Sequence, residues 1–147
     1  MNVLVIIGHP RAGSLCHAIA EAYMQGAREA GARLERLDVR ELVFSRDVEH
    51  SVMRLQATEP DIDRARRLLQ WAEHVVFVYP TWWGTMPALL KGFLDRVLLP
   101  GFAFRRAENA FGYEGLLSGR SAHLITTMDT PKLVYRVVYR SPGHNAM

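Results

Sequence analysis

The sequence predicts an α/β fold in which helices alternate with the strands of a parallel β-sheet. Short runs of β-branched and aromatic residues alternate with segments of helical periodicity, and parallel neighbours need crossovers of about a dozen residues or more. The chain has 147 residues, 49% of them hydrophobic, which suits one domain with a sizeable core. No repeat, low-complexity tract or linker divides it, so we predict a single domain over residues 1–147.

The composition excludes several classes of protein. A net charge of +3 from scattered basic residues does not indicate nucleic-acid binding. The single cysteine, Cys16, excludes an internal disulfide and a cysteine-built zinc site, and we predict no metal. No apolar run reaches the roughly 18 residues of a membrane span, and the first residues do not resemble a signal peptide. We therefore expect a cytoplasmic protein without a membrane span.

The first elements follow from short sequence signals. The apolar run from Asn2 to Gly8 predicts a buried parallel strand. Ser14 is a good N-cap for a helix that Gly31 ends. In the segment Arg33 to Arg40, apolar residues alternate imperfectly with charged residues, which suits a more exposed edge strand. The apolar positions of the helix are Leu15, Ala18, Ile19, Ala22 and Gly26.

The middle of the chain begins with a segment in which apolar residues show no clear periodicity. Glu41 to Glu59 is predicted to be a long irregular connection. Pro60 then opens a helix, and Asp61 and Asp63 in its first turn complement the helix dipole. Its apolar stripe consists of Ile62, Ala65, Leu68, Leu69 and Ala72.

The most apolar strand signal is the run from His74 to Tyr79, which predicts the central strand of the sheet. Pro80 ends it because proline cannot donate to a ladder. Thr85 is expected to cap the next helix, with Pro87 in the first turn and Pro100-Gly101 as the stop. The apolar face of that helix is Leu89, Leu90, Phe93, Leu94, Val97 and Leu98.

Two adjacent indoles, Trp82 and Trp83, follow the central strand. Open α/β sheets bind ligands at the carboxyl ends of their strands, so a flat aromatic ligand is expected here. From this stretch alone, the alternative that both tryptophans merely cover the end of the core stays open.

The remainder of the chain adds one strand and one helix. Residues 102–119, rich in glycine and aromatics, suggest a small hairpin, and Ser121 to Thr127 predicts a fourth long strand. Pro131 opens a last helical segment, which Ser141-Pro142-Gly143 breaks. Its apolar positions are Leu133, Val134, Val137 and Val138.

The turn between the first strand and first helix, residues 8–17, is the first chemical element. It contains neither the dinucleotide-binding glycine pattern nor a P-loop. The free N–H groups of the helix start nevertheless favour a phosphate, and His9 and Arg11 can add donors or charge. Alternatively, Ser14 is an ordinary cap and His9 a solvated loop residue. Cys16 is expected to be a packing residue, since no base is assigned to it.

Three motifs together carry a family resemblance. They are Gly8-His9-Pro10-Arg11 with Ser14-Leu15, the stretch from Tyr79 to Val97, and Ile125-Thr126-Thr127. In this order they resemble the NAD(P)H:quinone oxidoreductase family of flavodoxin-like flavoproteins. The resemblance implies a three-layer sandwich with a parallel sheet in order 2-1-3-4 followed by a fifth strand. Because the chain stops at Met147, we expect that fifth strand to be missing.

The resemblance also implies which residues bind the flavin. Those facing its phosphate and ribityl chain are His9, Ser14, Leu15 and Cys16, with Arg11 in the same motif. Those lining the isoalloxazine are Pro80, Thr81, Trp82, Trp83 and Gly84. Those reaching the polar edge of the ring are Thr126 and Thr127, near the atoms where donors tune its electronics. FMN is expected over FAD because no adenine-binding extension is evident.

The sequence departs from the family pattern after the fourth strand. Met128 and Asp129 stand where the family often has two glycines, although Asp129-Thr130-Pro131 resembles a bacterial subgroup. Both residues are kept as expected flavin neighbours. Tyr135 and His144 lie roughly where some members carry a tyrosine and a histidine that assist hydride transfer, and they are the expected catalytic residues.

The activity implied is hydride transfer from NAD(P)H through bound flavin to a quinone or a similar flat small-molecule acceptor. Three alternatives stay open. A one-electron carrier would usually have an acidic docking face, which a pI near 9.3 opposes. The others are a flavin-binding ancillary subunit, like the regulators of potassium efflux, and a degenerate non-catalytic flavin-binding module.

An uncovered fourth strand would present unpaired backbone groups, which invites association. The segment Pro131 to Met147, a partner chain, or sequence absent from this chain is expected to cover that edge. Family members are commonly homodimers, so we expect a homodimer.

Overall fold

A computed structural model describes residues 1–48, 59–107 and 112–146. Its strands are β1 (Asn2–Ile7), β2 (Arg33–Asp38), β3 (His74–Pro80), β4 (Phe104–Arg106), β5 (Tyr113–Gly115) and β6 (Ser121–Thr127). Its α-helices are α1 (Leu15–Glu29), α2 (Pro60–Trp71), α3 (Ala88–Val97), α4 (Lys132–Val137) and α5 (Pro142–Asn145), and a 3-10 helix covers Val39–Glu41.

The main sheet has four strands in the order β2-β1-β3-β6, all parallel. This confirms the predicted order of the four long strands, with β6 as the fourth. Ile7 pairs with Val78, and Pro80 pairs with Thr127. The register therefore brings the carboxyl ends of β1, β3 and β6 to one edge of the sheet. Within the described residues, β6 is the outer strand on its side.

The alternation of side chains along β1 divides the core into two layers. Leu4 and Ile6 belong to the cluster formed with α2 and α3, whereas Val3, Val5 and Ile7 belong to the cluster formed with α1. Successive residues of a strand point to opposite faces, so a continuous apolar run is what a strand covered on both faces requires. The two layers confirm the flavodoxin-like α/β architecture.

The prediction for the inner face of α1 was wrong except at Ile19, which packs against the core on the α1 side of the sheet. The buried positions are Cys16, Ala20 and Met24, one turn apart, whereas Leu15 is 65% exposed. The buried face is rotated by about one position from the predicted one. The apolar spacing is compatible with either face, because alanines occur on several sides of the helix. The actual orientation leaves Leu15 at the edge of the sheet where the loops meet.

The start of α3 also differs from the prediction. Pro87 is the N-cap residue, and Thr85 does not cap the helix. Instead, Thr85 and Trp82 exchange backbone hydrogen bonds of 2.8 and 3.1 Å, which close a tight turn. The backbone N–H and C=O groups of Thr85 are thus hydrogen-bonded within the tryptophan loop before the helix begins. The predicted apolar faces of α2 and α3 do lie against the core, apart from Leu98, which is 38% exposed.

The connections hold further differences. β4 and β5 form the expected antiparallel hairpin, although residues 108–111 between them lie outside the described residues. β2 ends at Asp38, because that side chain accepts the Arg40 N–H and caps the 3-10 helix. The predicted irregular connection has no regular structure over residues 42–48, and residues 49–58 lie outside the described part.

The last helical segment ends at Val137, before the predicted break at Ser141-Pro142-Gly143, and a second short helix, α5, begins at Pro142. The expected apolar stripe of α4 faces outward, with Leu133 74% exposed and Val137 67% exposed, while Tyr135 is buried. Among the described helices, none is both long and apolar enough to cross a membrane.

Candidate functional site

A cleft of about 800 Å³ lies at the carboxyl edge of the sheet. It is built from the loops that follow β1, β3 and β6, which the parallel register brings together. These are the loops expected to bind a ligand in an open α/β fold. The lining residues are His9, Arg11, Ser14, Leu15, Cys16, Pro80, Thr81, Trp82, Trp83, Gly84, Thr127, Met128, Asp129, Thr130, Tyr135 and Tyr139.

One end of the cleft is the start of α1. Ser14 is the N-cap residue by backbone conformation, but its side chain makes no capping hydrogen bond. Its hydroxyl instead lies 2.7 Å from Nδ1 of His17. The N–H groups of a first helical turn have no intrahelical partners, and those of Leu15 and Cys16 lie at this end. The uncapped helix start therefore suits an anion.

His9 forms the side wall next to this helix start. The Arg11 N–H donates to Nδ1 of His9 at 3.0 Å. The imidazole meets Trp82 edge to face, with ring centroids 5.5 Å apart. Burial lowers the pKa of His9, and the hydrogen bond to Nδ1 leaves the ring hydrogen on Nε2. His9 is therefore a neutral donor rather than a solvated loop residue.

The other end of the cleft is aromatic. Trp83 has a φ of 51° and Gly84 a φ of 81°, so the turn after β3 runs through the left-handed region. This conformation is uncommon for a bulky residue and leaves the Trp83 side chain fully exposed, at 103%. Trp82 is 46% exposed. Neither indole is core packing, which removes the alternative left open by the sequence.

Tyr135 fixes the tryptophan turn from behind. Its hydroxyl donates to the Gly84 carbonyl oxygen at 3.2 Å and accepts the Gly143 N–H at 3.0 Å. A Cβ on Gly143 would lie 2.8 Å from that hydroxyl and 2.9 Å from the Gly84 oxygen. Only glycine allows so close an approach. The turn, α4 and α5 are therefore held together at one point.

The loop after β6 closes the floor. The thiol of Cys16 lies 3.5 Å from the Thr127 hydroxyl, and burial raises the pKa of Cys16. Ile125 packs on the α1 side of the sheet, so Thr127, two residues on, shares that side and Thr126 lies on the opposite face. Thr126 is accordingly the one predicted flavin neighbour that does not line the cleft.

Most predicted site residues therefore meet in this cleft. Tyr135 lines it as well, whereas the side chain of His144 lies outside the described residues. Sequence reasoning missed Thr130, although it directly follows Asp129, and Tyr139. It also missed Asp38 and His17 behind Ser14. For these, the only signal was that β2 ends next to β1, which brings its last residue towards the start of α1.

The chemistry of the cleft fits a flavin, with a phosphate at one end and a planar ring at the other. The uncapped start of α1, where Ser14 is only 4% exposed, suits a phosphate. The exposed Trp83 face and the Leu15 side chain, 65% exposed, supply apolar surface that a planar ring would cover. The two ends belong to one continuous cleft.

Comparisons with known proteins agree with this architecture. The family model described as the flavodoxin-like fold matches residues 1–144, and the chain belongs to this family. The match confirms the family recognised from the three sequence motifs.

Individual relatives extend the comparison. The chain is 33% identical over 132 residues to an uncharacterized NAD(P)H oxidoreductase of Haemophilus influenzae, covering 87% of this chain and 64% of the relative. It is 40% identical over 93 residues to mouse ribosyldihydronicotinamide dehydrogenase [quinone], covering 62% of this chain and 39% of the relative. The crystal structure of a Streptococcus mutans protein superimposes with a TM-score of 0.74 at 33% identity, covering 91% of this chain and 71% of that chain. The chain thus spans less than two thirds of the length of these two curated relatives.

Proposed function

We propose that residues 1–147 form one flavin-binding domain of an NAD(P)H oxidoreductase that reduces a quinone or a similar flat acceptor. The observation that carries the proposal is the cleft where three carboxyl-end loops meet. A phosphate-compatible helix start lies at one end of it and exposed indoles lie at the other. The names of the Haemophilus and mouse relatives, an NAD(P)H oxidoreductase and a quinone-linked dehydrogenase, support the same activity.

The protein's part in the reaction is binding and orientation. When bound, a flavin supplies the hydride chemistry between a nicotinamide and the acceptor. The N–H groups of Leu15 and Cys16 and the Ser14 hydroxyl would bind its phosphate, and His9 would donate from Nε2. Trp82 and Trp83 would present apolar faces to flat molecules and exclude water from the reacting atoms.

We propose FMN rather than FAD as the cofactor. The cleft of about 800 Å³ is within the range for one ligand of drug size, which supports the smaller flavin. Trp83 lies at the open side of the cleft, where a nicotinamide and then an acceptor would stack in turn. Met128 and Asp129 line the cleft beyond β6, in place of the two glycines that are frequent in the family.

The catalytic role expected of Tyr135 becomes a positioning role in our proposal. Its hydroxyl hydrogen is directed at the Gly84 carbonyl oxygen, not at the open cleft. Tyr135 would therefore hold the tryptophan turn in its strained conformation. His144 stays a proposed catalytic residue on the family resemblance alone.

We further propose that the protein acts as a homodimer. The outward face of α4 exposes Leu133, Val137 and Val138, and β6 is the outer strand of the described sheet. α4 and α5 dock on the Gly84 turn, where Pro142 lies within 3.4 Å of a Cβ built on that glycine. A second copy of the chain would bury the apolar face that this docking leaves open.

The test is aerobic purification followed by a flavin spectrum and release of the cofactor by heat. We expect FMN by chromatography, and oxidation of NADH or NADPH that accelerates when a quinone is added. FAD as the sole species would contradict the cofactor assignment. Bound flavin without nicotinamide oxidation would favour the ancillary subunit or the non-catalytic module instead.

A further inference from the structure

A buried hydrogen-bonded chain runs behind the proposed phosphate end of the cleft. Ser14 Oγ lies 2.7 Å from Nδ1 of His17, and Nε2 of His17 lies 2.9 Å from Oδ2 of Asp38. The side chain of His17 is 13% exposed and that of Asp38 1%. Of the three, Ser14 lines the cleft and the other two do not. The chain therefore connects the cleft to a buried carboxylate through one imidazole.

Asp38 determines which ring nitrogen of His17 carries a hydrogen. Its carboxylate accepts the Arg40 N–H at 3.2 Å and an Arg36 N–H at 3.3 Å, in addition to the contact with His17. Nε of Arg36 lies 3.7 Å from Oε1 of Glu21, which is one helical turn after His17 on α1. A group that accepts from several donors is ionised and has no hydrogen to give. Nε2 of His17 must therefore carry a hydrogen in either protonation state.

The protonation state of His17 then sets the direction of the Ser14 hydroxyl. In neutral His17, Nδ1 has only a lone pair, so it takes the Ser14 hydrogen and leaves serine lone pairs facing the cleft. In cationic His17, Nδ1–H donates to Ser14 Oγ instead, and the hydroxyl hydrogen is free to point at an anion. An anion in the cleft therefore gains a hydrogen bond from Ser14 only in the second state.

We infer that His17 is a positioning residue that couples phosphate binding at the start of α1 to uptake of a proton. This inference rests on the proposed function, because FMN provides the phosphate. By reciprocity, a phosphate in the cleft favours the cationic imidazole as much as the cation favours the phosphate. Affinity for FMN therefore falls when His17 loses its second proton, whereas affinity for riboflavin, which lacks the phosphate, does not.

The charges around His17 act on this coupling in opposite directions. Asp38 favours the cation, and Arg36 behind it opposes the cation. His9 lies across the loop with its ring centroid 6.4 Å from that of His17, and Arg11 adds a positive charge beside His9. Burial lowers the pKa of His9, which opposes a second charge on that imidazole. Among the described residues, His17 is the imidazole that contacts Asp38.

The test compares FMN and riboflavin affinities of the wild-type protein and His17→Gln at pH values of about 6 and about 8.5, on either side of an ordinary histidine titration. The introduced glutamine can donate to Asp38 and accept from Ser14, as neutral histidine does. The phosphate of FMN also titrates in this range, but equally for both proteins. We expect the loss of FMN affinity with pH to be about tenfold larger in the wild type, the scale of one charged hydrogen bond. His123→Gln, an exposed histidine on β6, should behave as the wild type.

A measurement on the wild type alone tests the inference even if the variant misfolds. The imidazole carbon resonances, followed by NMR, should show one histidine keeping its second proton to higher pH with FMN bound but not with riboflavin bound. Superimposable pH profiles of the wild type and His17→Gln, with no shifted histidine, would overturn the inference while leaving FMN binding intact. Failure of both ligands to bind at any pH would overturn the inference together with the proposed function.

Discussion

The hydroxyl of Tyr135 donates a hydrogen bond to the carbonyl oxygen of Gly84, 51 residues earlier in the chain. This contact joins the last helices to the turn that carries both tryptophans. Trp83 and Gly84 adopt positive φ angles in that turn, and such strain persists only when the surrounding structure fixes it. The bond thus links a local backbone conformation at the cleft to the docking of the chain's end.

Tyr135→Phe should remove the hydrogen bonds of the hydroxyl to Gly84 and Gly143. We expect the free energy of unfolding to fall by about 1–3 kcal/mol, because the buried Gly84 and Gly143 groups lose their partner. Affinity for FMN should fall with it as the turn relaxes. Chemical denaturation and flavin titration measure the two effects, with Tyr113→Phe, 75% exposed on β5, as the unaffected control. A loss of turnover with stability and flavin affinity unchanged would instead support a direct catalytic role.

Trp83→Ala tests the aromatic end of the cleft. Trp83 is fully exposed, so its removal should change the stability by no more than about 0.5 kcal/mol. Flavin binding should weaken by about 1–3 kcal/mol, the scale of an aromatic contact and its burial. Denaturation and flavin titration of the same preparation distinguish the two effects. A large loss of stability with unchanged flavin affinity would show that the indole packs in the fold.

Sequence reasoning reached the strands and the turns of the cleft from local signals, whereas the sheet order was implied by the family resemblance. The apolar runs of β1 and β3 and the turn residues after them need no tertiary information. It did not find the rotation of α1, because alanine carries little information about which face is buried. It also missed the chain from Ser14 to Asp38, since that contact depends on the register of β2 beside β1. The hydrogen bond from Tyr135 to Gly84 likewise has no signal in the local sequence.

Glu59→Gln tests the ion pair at the start of α2. Burial alone would raise the pKa of Glu59, but hydrogen bonds from the Ser45 N–H and from Arg96 outweigh burial and lower that pKa. A lowered carboxyl pKa stabilises the fold above the unfolded value of about 4.3, and the contribution is lost as the pH falls through the folded value. The variant should be less stable than the wild type at neutral pH, and the difference should narrow in acid.

Urea denaturation at several pH values measures that difference. Glu114→Gln is the matched control, because Glu114 pairs with Arg105 on the exposed hairpin, where an ion pair contributes little. A difference between the wild type and Glu59→Gln that stays constant with pH would contradict the assignment.

Val137→Glu tests the proposed homodimer. The side chain is 67% exposed on the outer face of α4, so a charge there should leave the monomer folded and disfavour an apolar interface. Light scattering over a concentration series should show a dimer for the wild type and a monomer for the variant. A wild type that stays monomeric at all concentrations with flavin bound would contradict the proposed dimer.

Equilibrium titration of the flavin-free protein with FMN tests the central claim most directly, with tryptophan and flavin fluorescence as the signals. We expect saturable binding of one FMN per chain, quenching of the tryptophan signal, weaker binding of riboflavin and a reduced response in Trp83→Ala. A protein that is folded by circular dichroism yet binds neither FMN nor FAD at any accessible concentration would contradict the account.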